Sequence, residues 1–164
     1  MLKKILYLAR HAKSDWKRHA LSDFERPLNS RGQRDAQLMA SILKAKETTP
    51  DLILSSPAIR AKETAHIYHH ALDGELHFDV RIYEASHLNL YYIAQEAFQK
   101  VDHLMIVGHN PGLTDLHNIL SDTPLYNLVT GAIVAIVFEK KIERHRGKQL
   151  FFEYPKKYLP QDKF

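Results

Sequence analysis

Arginine and histidine return three times in this chain just beyond a short apolar run. Ile5-Leu6-Tyr7-Leu8-Ala9 leads into Arg10-His11, Leu52-Ile53-Leu54 comes shortly before Arg60, and His103-Leu104-Met105-Ile106-Val107 is followed by Gly108-His109-Asn110-Pro111. Such runs read as strands buried on both faces. The carboxyl edge of an open α/β sheet is where ligands bind, so side chains after parallel strands converge there although far apart in sequence. Two guanidiniums and two imidazoles at one point repel unless an anion lies among them. A tetrahedral phosphoryl group fits, because guanidiniums grip its oxygens in forks and helix N-termini after Ser56 and Asn110 offer amide donors. A neutral imidazole can attack phosphorus and become phosphohistidine, with the cations offsetting charge on the transferring oxygens. A departing oxygen or nitrogen also needs a proton. Glu84, in the loop after the extended segment Leu76–Val80, is the acid best placed by topology.

The elements that must hold these residues follow from periodicity and punctuation. Ala36, Met39, Ala40 and Leu43 share one helical face, which predicts a helix over about 31–46 with Asn29 or Ser30 as its cap. Ser56 as cap and Pro57 at the first helical position predict a second helix, with Ala61, Ala65, Tyr68 and Leu72 inward. A third carries Leu90, Ile93, Ala94 and Ala97. Pro111 opens a fourth, with Leu113, Leu116, Ile119 and Leu120 inward. Gly131–Phe138 is a long apolar strand, and Leu150–Tyr154 returns beside it as an antiparallel hairpin. Strand–helix alternation with right-handed crossovers predicts an α/β three-layer sandwich with a mostly parallel central sheet and that hairpin at its C-terminal end. One domain over residues 1–164 is expected, its basic tail fraying from about residue 155.

Composition narrows the chemistry. The 164 residues contain no cysteine, which removes disulfides, thiolate metal sites and cysteine nucleophiles. Lys3-Lys4 precede only a few apolar residues, so no secretory signal is expected. No run approaches the roughly 18 apolar residues of a membrane helix. A cytoplasmic protein without a membrane partner is the expectation. The net charge of +4 favours anionic ligands weakly. The basic stretch from Lys140 to Lys148 lacks an aromatic stacking platform, so nucleic acid is not an expected partner. His66 and His70 have metal-pair spacing but no carboxylate at ligand spacing, so neither a metal nor another cofactor is expected. A non-catalytic phosphate-binding or signalling module would keep the arginines, but it gives no reason for both histidines.

The motifs Leu8-Ala9-Arg10-His11-Ala12, Arg26-Pro27-Leu28-Asn29-Ser30-Arg31-Gly32, Ser55-Ser56-Pro57-Ala58-Ile59-Arg60-Ala61-Lys62-Glu63-Thr64-Ala65 and Val107-Gly108-His109-Asn110-Pro111 resemble the histidine phosphatase superfamily, also called phosphoglycerate-mutase-like. They occur in the family's order and span the chain to about Ile136. The short length and Arg26-Pro27-Leu28 are most similar to the small SixA-type branch, linked to phosphohistidine dephosphorylation. The resemblance implies His11 as nucleophile, with Arg10, Arg60 and His109 completing the phosphate pocket. Ser14 matches a position near the phosphate, Asn110 is a lesser pocket residue, and Glu84 matches the acid of mutase-like branches. Ala12 replaces the usual glycine, and Lys17 stands where mutases often carry asparagine, which weakens a mutase reading. The short branch often has no clear acid at the position of Glu84. The implied activity is metal-independent hydrolysis of a phosphoric ester or phosphoramidate. Its substrate would be a phosphorylated protein, with a small phosphorylated metabolite as the alternative. Nothing in the sequence sets an oligomeric state.

Overall fold

A computed structural model describes residues 3–160. Its strands are β1 (Lys4–Arg10), β2 (Leu52–Ser55), β3 (Glu75–Phe78), β4 (His103–Gly108), β5 (Ile133–Phe138) and β6 (Lys148–Glu153). They form one sheet in the order β3-β2-β4-β1-β5-β6. β4 pairs in parallel with both β1 and β2, and β2 with β3. Only β5 runs the other way, antiparallel to β1 and to β6, with a bulge between Ala135 and Ile136. This is the expected mostly parallel sheet with its C-terminal hairpin.

Alternation along the strands divides the core. Leu6, Leu8, Leu104, Ile106, Val134 and Ile136 face α3 (His87–Ala97) and α4 (Gly112–Leu120), meeting Leu90, Ile93, Leu113 and Leu116. Their neighbours Tyr7, Ala9, Met105, Val107, Ile133 and Ala135 face α1 (Ser30–Ala45) and α2 (Ile59–Leu72), meeting Met39, Leu43, Ala61, Ala65 and Tyr68. The period of two puts adjacent residues on opposite faces, and helices cover both, so the three layers follow. Leu8 is fully buried, and truncating it to alanine costs about 2–5 kcal/mol.

Several boundaries differ from the sequence expectation. The start of α1 is not one of them: the Asn29 carboxamide caps it as expected, accepting from Gly32 N–H at 2.8 Å. α2 starts at Ile59, two residues later than Ser56-Pro57 suggests, with Ala58 at its cap and no side-chain cap bond. Ser56 is still finishing the strand ladder, its N–H donating to Val107 O at 3.0 Å. Pro111 is the cap of α4 rather than its first residue. Of the expected arm Leu76–Val80, Leu76 to Phe78 belong to the edge strand β3, and Val80 opens a 3₁₀ turn through Ile82. The tail does not fray at Pro155: that residue is buried and opens a 3₁₀ turn through Lys157. Buried Glu153 anchors the turn, holding Lys46 of the α1 cap, Lys157 and the Tyr158 hydroxyl. Residues 161–164 of the expected tail lie outside the described residues.

Candidate active site

Hydrogen bonding continues past the strand ends and fixes the site's backbone. His11 N–H donates to Gly108 O at 3.1 Å and Gly131 N–H to His11 O at 2.9 Å. With β4 between β1 and β2, these bonds set His11, His109 and Ser56 side by side. The two imidazole centroids are 5.3 Å apart.

Each imidazole has a defined tautomer. His11 Nδ1 lies 2.7 Å from Ala12 O. A carbonyl only accepts, so Nδ1 carries the proton and Nε2 bears the free lone pair. Arg60 Nε points at that Nε2 from 3.4 Å. Burial, together with His109, Arg60 and Arg10, outweighs the bond to Ala12 and lowers the His11 pKa to about 3. His109 is opposite. Arg60 Nη2 is 3.4 Å from His109 Nδ1, and a guanidinium only donates, so Nδ1 accepts. The proton is then on Nε2, which donates to Ser56 Oγ at 2.8 Å. Burial and Arg60 lower the His109 pKa to about 4. Both rings are neutral at pH 7.

The arginines are held by backbone and by one carboxylate. Arg10 Nη1 donates to Leu128 O at 3.0 Å, while its buried Nε has no partner among the described residues. Burial, then Arg60, lowers the Arg10 pKa. Buried Arg60 donates to Asp23 O at 2.5 Å and to Asp23 Oδ2 at 3.0 Å. A third guanidinium, Arg26, bonds Asp23 Oδ1 at 2.8 Å and Ser14 Oγ at 2.9 Å. Burial works to raise the Asp23 pKa. Hydrogen bonds from Tyr83, Arg26 and Arg60 outweigh it and hold this carboxyl well below the usual range.

The segment from Ala12 to Asn29 carries Ser14, Asp23 and Arg26 over the start of α2. Ala12 N–H bonds Thr64 Oγ1, Leu28 N–H bonds Glu63 Oε1, and Ile59 N–H bonds Phe24 O. Gly32 lets this segment dock against α1: a Cβ there would lie 2.0 Å from Lys13 O. The first amides of α2 are consumed in the same packing, Ala58 N–H by Ser56 Oγ and Ile59 N–H by Phe24 O. The amides of Ala58 and Ile59 are therefore not free for an anion, although their position after Ser56 suggests that they would be.

The result is a cavity of about 380 Å³. Arg10, His11, Ser14, Arg60, His109 and Asn110 all line it, together with Lys13, Trp16, Arg26 and Thr130. Asn110 contributes position: both its amide hydrogens are spent, on Asn127 Oδ1 at 2.9 Å and Leu128 O at 2.7 Å. Glu84 is not among the lining residues. It is exposed, in a left-handed turn at φ 55°, and makes no hydrogen bond among the described residues. Its neighbour Tyr83 takes the inner place. The Tyr83 ring meets His109 edge-on at 5.6 Å, and its hydroxyl donates to Asp23 Oδ2 at 2.6 Å. His66 packs on Phe78, and among the described residues no three potential metal ligands gather.

The family model for the histidine phosphatase superfamily, branch 1, matches residues 6–105, which hold His11 and Arg60. The chain belongs to the histidine phosphatase superfamily. Members of this superfamily are typically hydrolases. An uncharacterised chloroplastic protein of Arabidopsis thaliana is 34% identical over 128 residues, 71% of this chain and 58% of its own length. The chain thus spans under two thirds of that relative. A protein named SixA from Agrobacterium tumefaciens superposes with a TM-score of 0.77 at 26% identity, covering 93% of this chain and 98% of its own. The protein histidine phosphatase SixA, complexed with tungstate, gives a TM-score of 0.81 at 20% identity with the same coverage. This member of the histidine phosphatase superfamily is therefore SixA-like in structure.

Two site residues carry little signal in the sequence. Asp23 serves both Arg26 and Arg60, and only its i,i+3 spacing to Arg26 hints at this. Tyr83 sits beside the expected Glu84, and nothing in the local pattern chooses between them.

Proposed function

We propose that this protein is a phosphatase that passes the phosphoryl group through His11 and acts on phosphohistidine borne by a protein. The carrying observation is the His11 tautomer, with Nδ1–H fixed on Ala12 O and the Nε2 lone pair turned to Arg60 Nε at the arginine-lined cavity. The Nε2 lone pair bonds to phosphorus as the bond to the leaving atom breaks, and that atom departs with the electron pair. Water then attacks phosphorus as the Nε2–P bond breaks, both its protons leave on the product dihydrogen phosphate, and neutral His11 is restored. Arg10 and Arg60 hold the equatorial oxygens, Ser14 Oγ has a free proton to donate, and His109 Nε2–H exchanges its bond to Ser56 Oγ for one to the developing charge. Tungstate in a SixA of this fold is a tetrahedral oxyanion, which supports a phosphoryl ligand here.

The leaving group follows from proton supply. Glu84 lies outside the cavity, and Asp23 is held ionised by its three donors. An ester oxygen leaves poorly without an acid. The imidazole of phosphohistidine can carry its own proton on the second ring nitrogen, so P–N cleavage suits this site better.

The test is a paired assay with chelator present, measuring phosphate release from a phosphohistidine-bearing domain and from an aryl phosphate. The expected result is preference for the domain, with an acid-labile, alkali-stable phosphoryl adduct on the wild type that His11→Ala lacks. A His11→Ala protein retaining most activity would overturn the mechanism. Preference for the ester would make the protein a small-molecule phosphomonoesterase. Oxyanion binding with no turnover of either would make it a binding module.

A further inference from the structure

The cavity is larger than a phosphoryl group, so a second region must receive whatever the phosphoryl group is attached to. Four of its ten lining residues are cations, two are the imidazoles, and Ser14, Asn110 and Thr130 are small and polar. The one extended apolar plane in the wall is the indole of Trp16. That side chain is 68% exposed, which is unusual for the only tryptophan in the chain. It is nevertheless not loose: the Arg26 guanidinium carbon lies 3.6 Å from the ring centroid, and Arg26 is pinned by Ser14 and Asp23. Arg26 thus holds one face of the indole, which leaves aromatic surface uncovered at the cavity. A flat ring stacks on such a surface at little entropic cost because the platform is already oriented.

We propose that Trp16 is a specificity-determining residue that stacks against a planar aromatic leaving group, an imidazole or an aryl ring, while the phosphoryl group occupies the arginine pocket. This rests on the phosphatase reading above and adds the part of the substrate beyond phosphorus. It separates ring-bearing substrates from those with the same bond to phosphorus and no ring.

The first arm compares kcat/KM for N-phosphoimidazole, phenyl phosphate and phosphoramidate in wild type, Trp16→Ala and Trp16→Phe. Removing the indole also uncovers Arg26, so some loss on every substrate is expected. The ring-specific part is the excess loss on phosphoimidazole and phenyl phosphate over phosphoramidate, about tenfold and chiefly in KM, with Trp16→Phe restoring most of it. Excess loss on phosphoimidazole alone would assign the platform to P–N substrates. Equal losses on all three, or no restoration by phenylalanine, would overturn the inference and leave Trp16 a positioning residue for Arg26.

The second arm does not need turnover. In His11→Ala protein the single tryptophan is the fluorophore, titrated with phenyl phosphate and with inorganic phosphate. Stacking predicts an emission change with the ring-bearing ligand well beyond that with phosphate. Identical responses would overturn the inference, and a ring-dependent response without any wild-type turnover would overturn the phosphatase reading alone.

Discussion

The turn after β1 and the turn after β4 present the same residue type in the same setting, yet the two histidines differ. Each is buried, each follows a central parallel strand, and each has a pKa driven down chiefly by burial. The difference is what each Nδ1 meets. At His11 it is the carbonyl of the next residue, which forces the proton onto Nδ1 and bares Nε2. At His109 it is the Arg60 guanidinium, which forces the proton onto Nε2. One backbone oxygen and one arginine thus set opposite tautomers on the two rings, which is the basis for proposing His11 and not His109 as the nucleophile.

The comparison is broken most severely by truncation. His11→Ala is expected to lower kcat by about 10⁴-fold or more, because it removes the atom proposed to take the phosphoryl group. His109→Ala should cost about 10²–10³-fold, the scale of losing a donor to developing charge. Single-turnover rates with a phosphohistidine substrate check the order, and equal losses would refute the division of roles. Asp23→Asn should weaken activity about tenfold and raise KM, since Arg60 keeps the Asp23 backbone oxygen but loses its carboxylate partner. A tungstate titration by calorimetry would show the same loss in affinity.

Acidity sharpens the comparison through stability. Both histidines titrate near 6.5 in the unfolded chain and at about 3 and about 4 in the fold. Below pH 6.5 the unfolded chain binds protons that the fold does not, so these residues favour unfolding increasingly as pH drops. Tm is expected to fall between pH 6.5 and pH 4, and less steeply in His11→Ala. A mutant slope as steep as wild type would mean that His11 is not held neutral by the fold. The smallest effect is expected from Glu84→Gln, within about twofold in kcat on both P–N and P–O substrates. A large loss confined to esters would restore Glu84 as the acid.

Much of the frame was legible because it rests on local pattern. Apolar runs marked β1, β2 and β4, and the Arg10-His11, Arg60 and His109 positions after them follow from strand parity and parallel pairing. What stayed hidden depends on contacts across the chain. Ser56 looks like a helix cap until its hydroxyl is seen receiving His109 Nε2–H. Asp23 looks like a solvated loop residue until Arg60, 37 positions later, reaches it. Tyr83 and Glu84 differ only in how one turn rotates, and a left-handed φ at Glu84 is not encoded by any glycine. The place of β5 beside β1 likewise follows from pairing that no local signal records.

The bond from His11 N–H to Gly108 O has a dynamic consequence. It sutures the His11 peptide to the strand that delivers His109, at the middle of the sheet. The backbone spacing of His11 and His109 cannot change without parting β1 from β4. The His11 amide should therefore exchange with deuterium as slowly as the deepest strand amides, by global opening rather than local fraying. Any gating of turnover would fall to the Ala12–Asn29 segment, while the His11 backbone remains a fixture of the folding core.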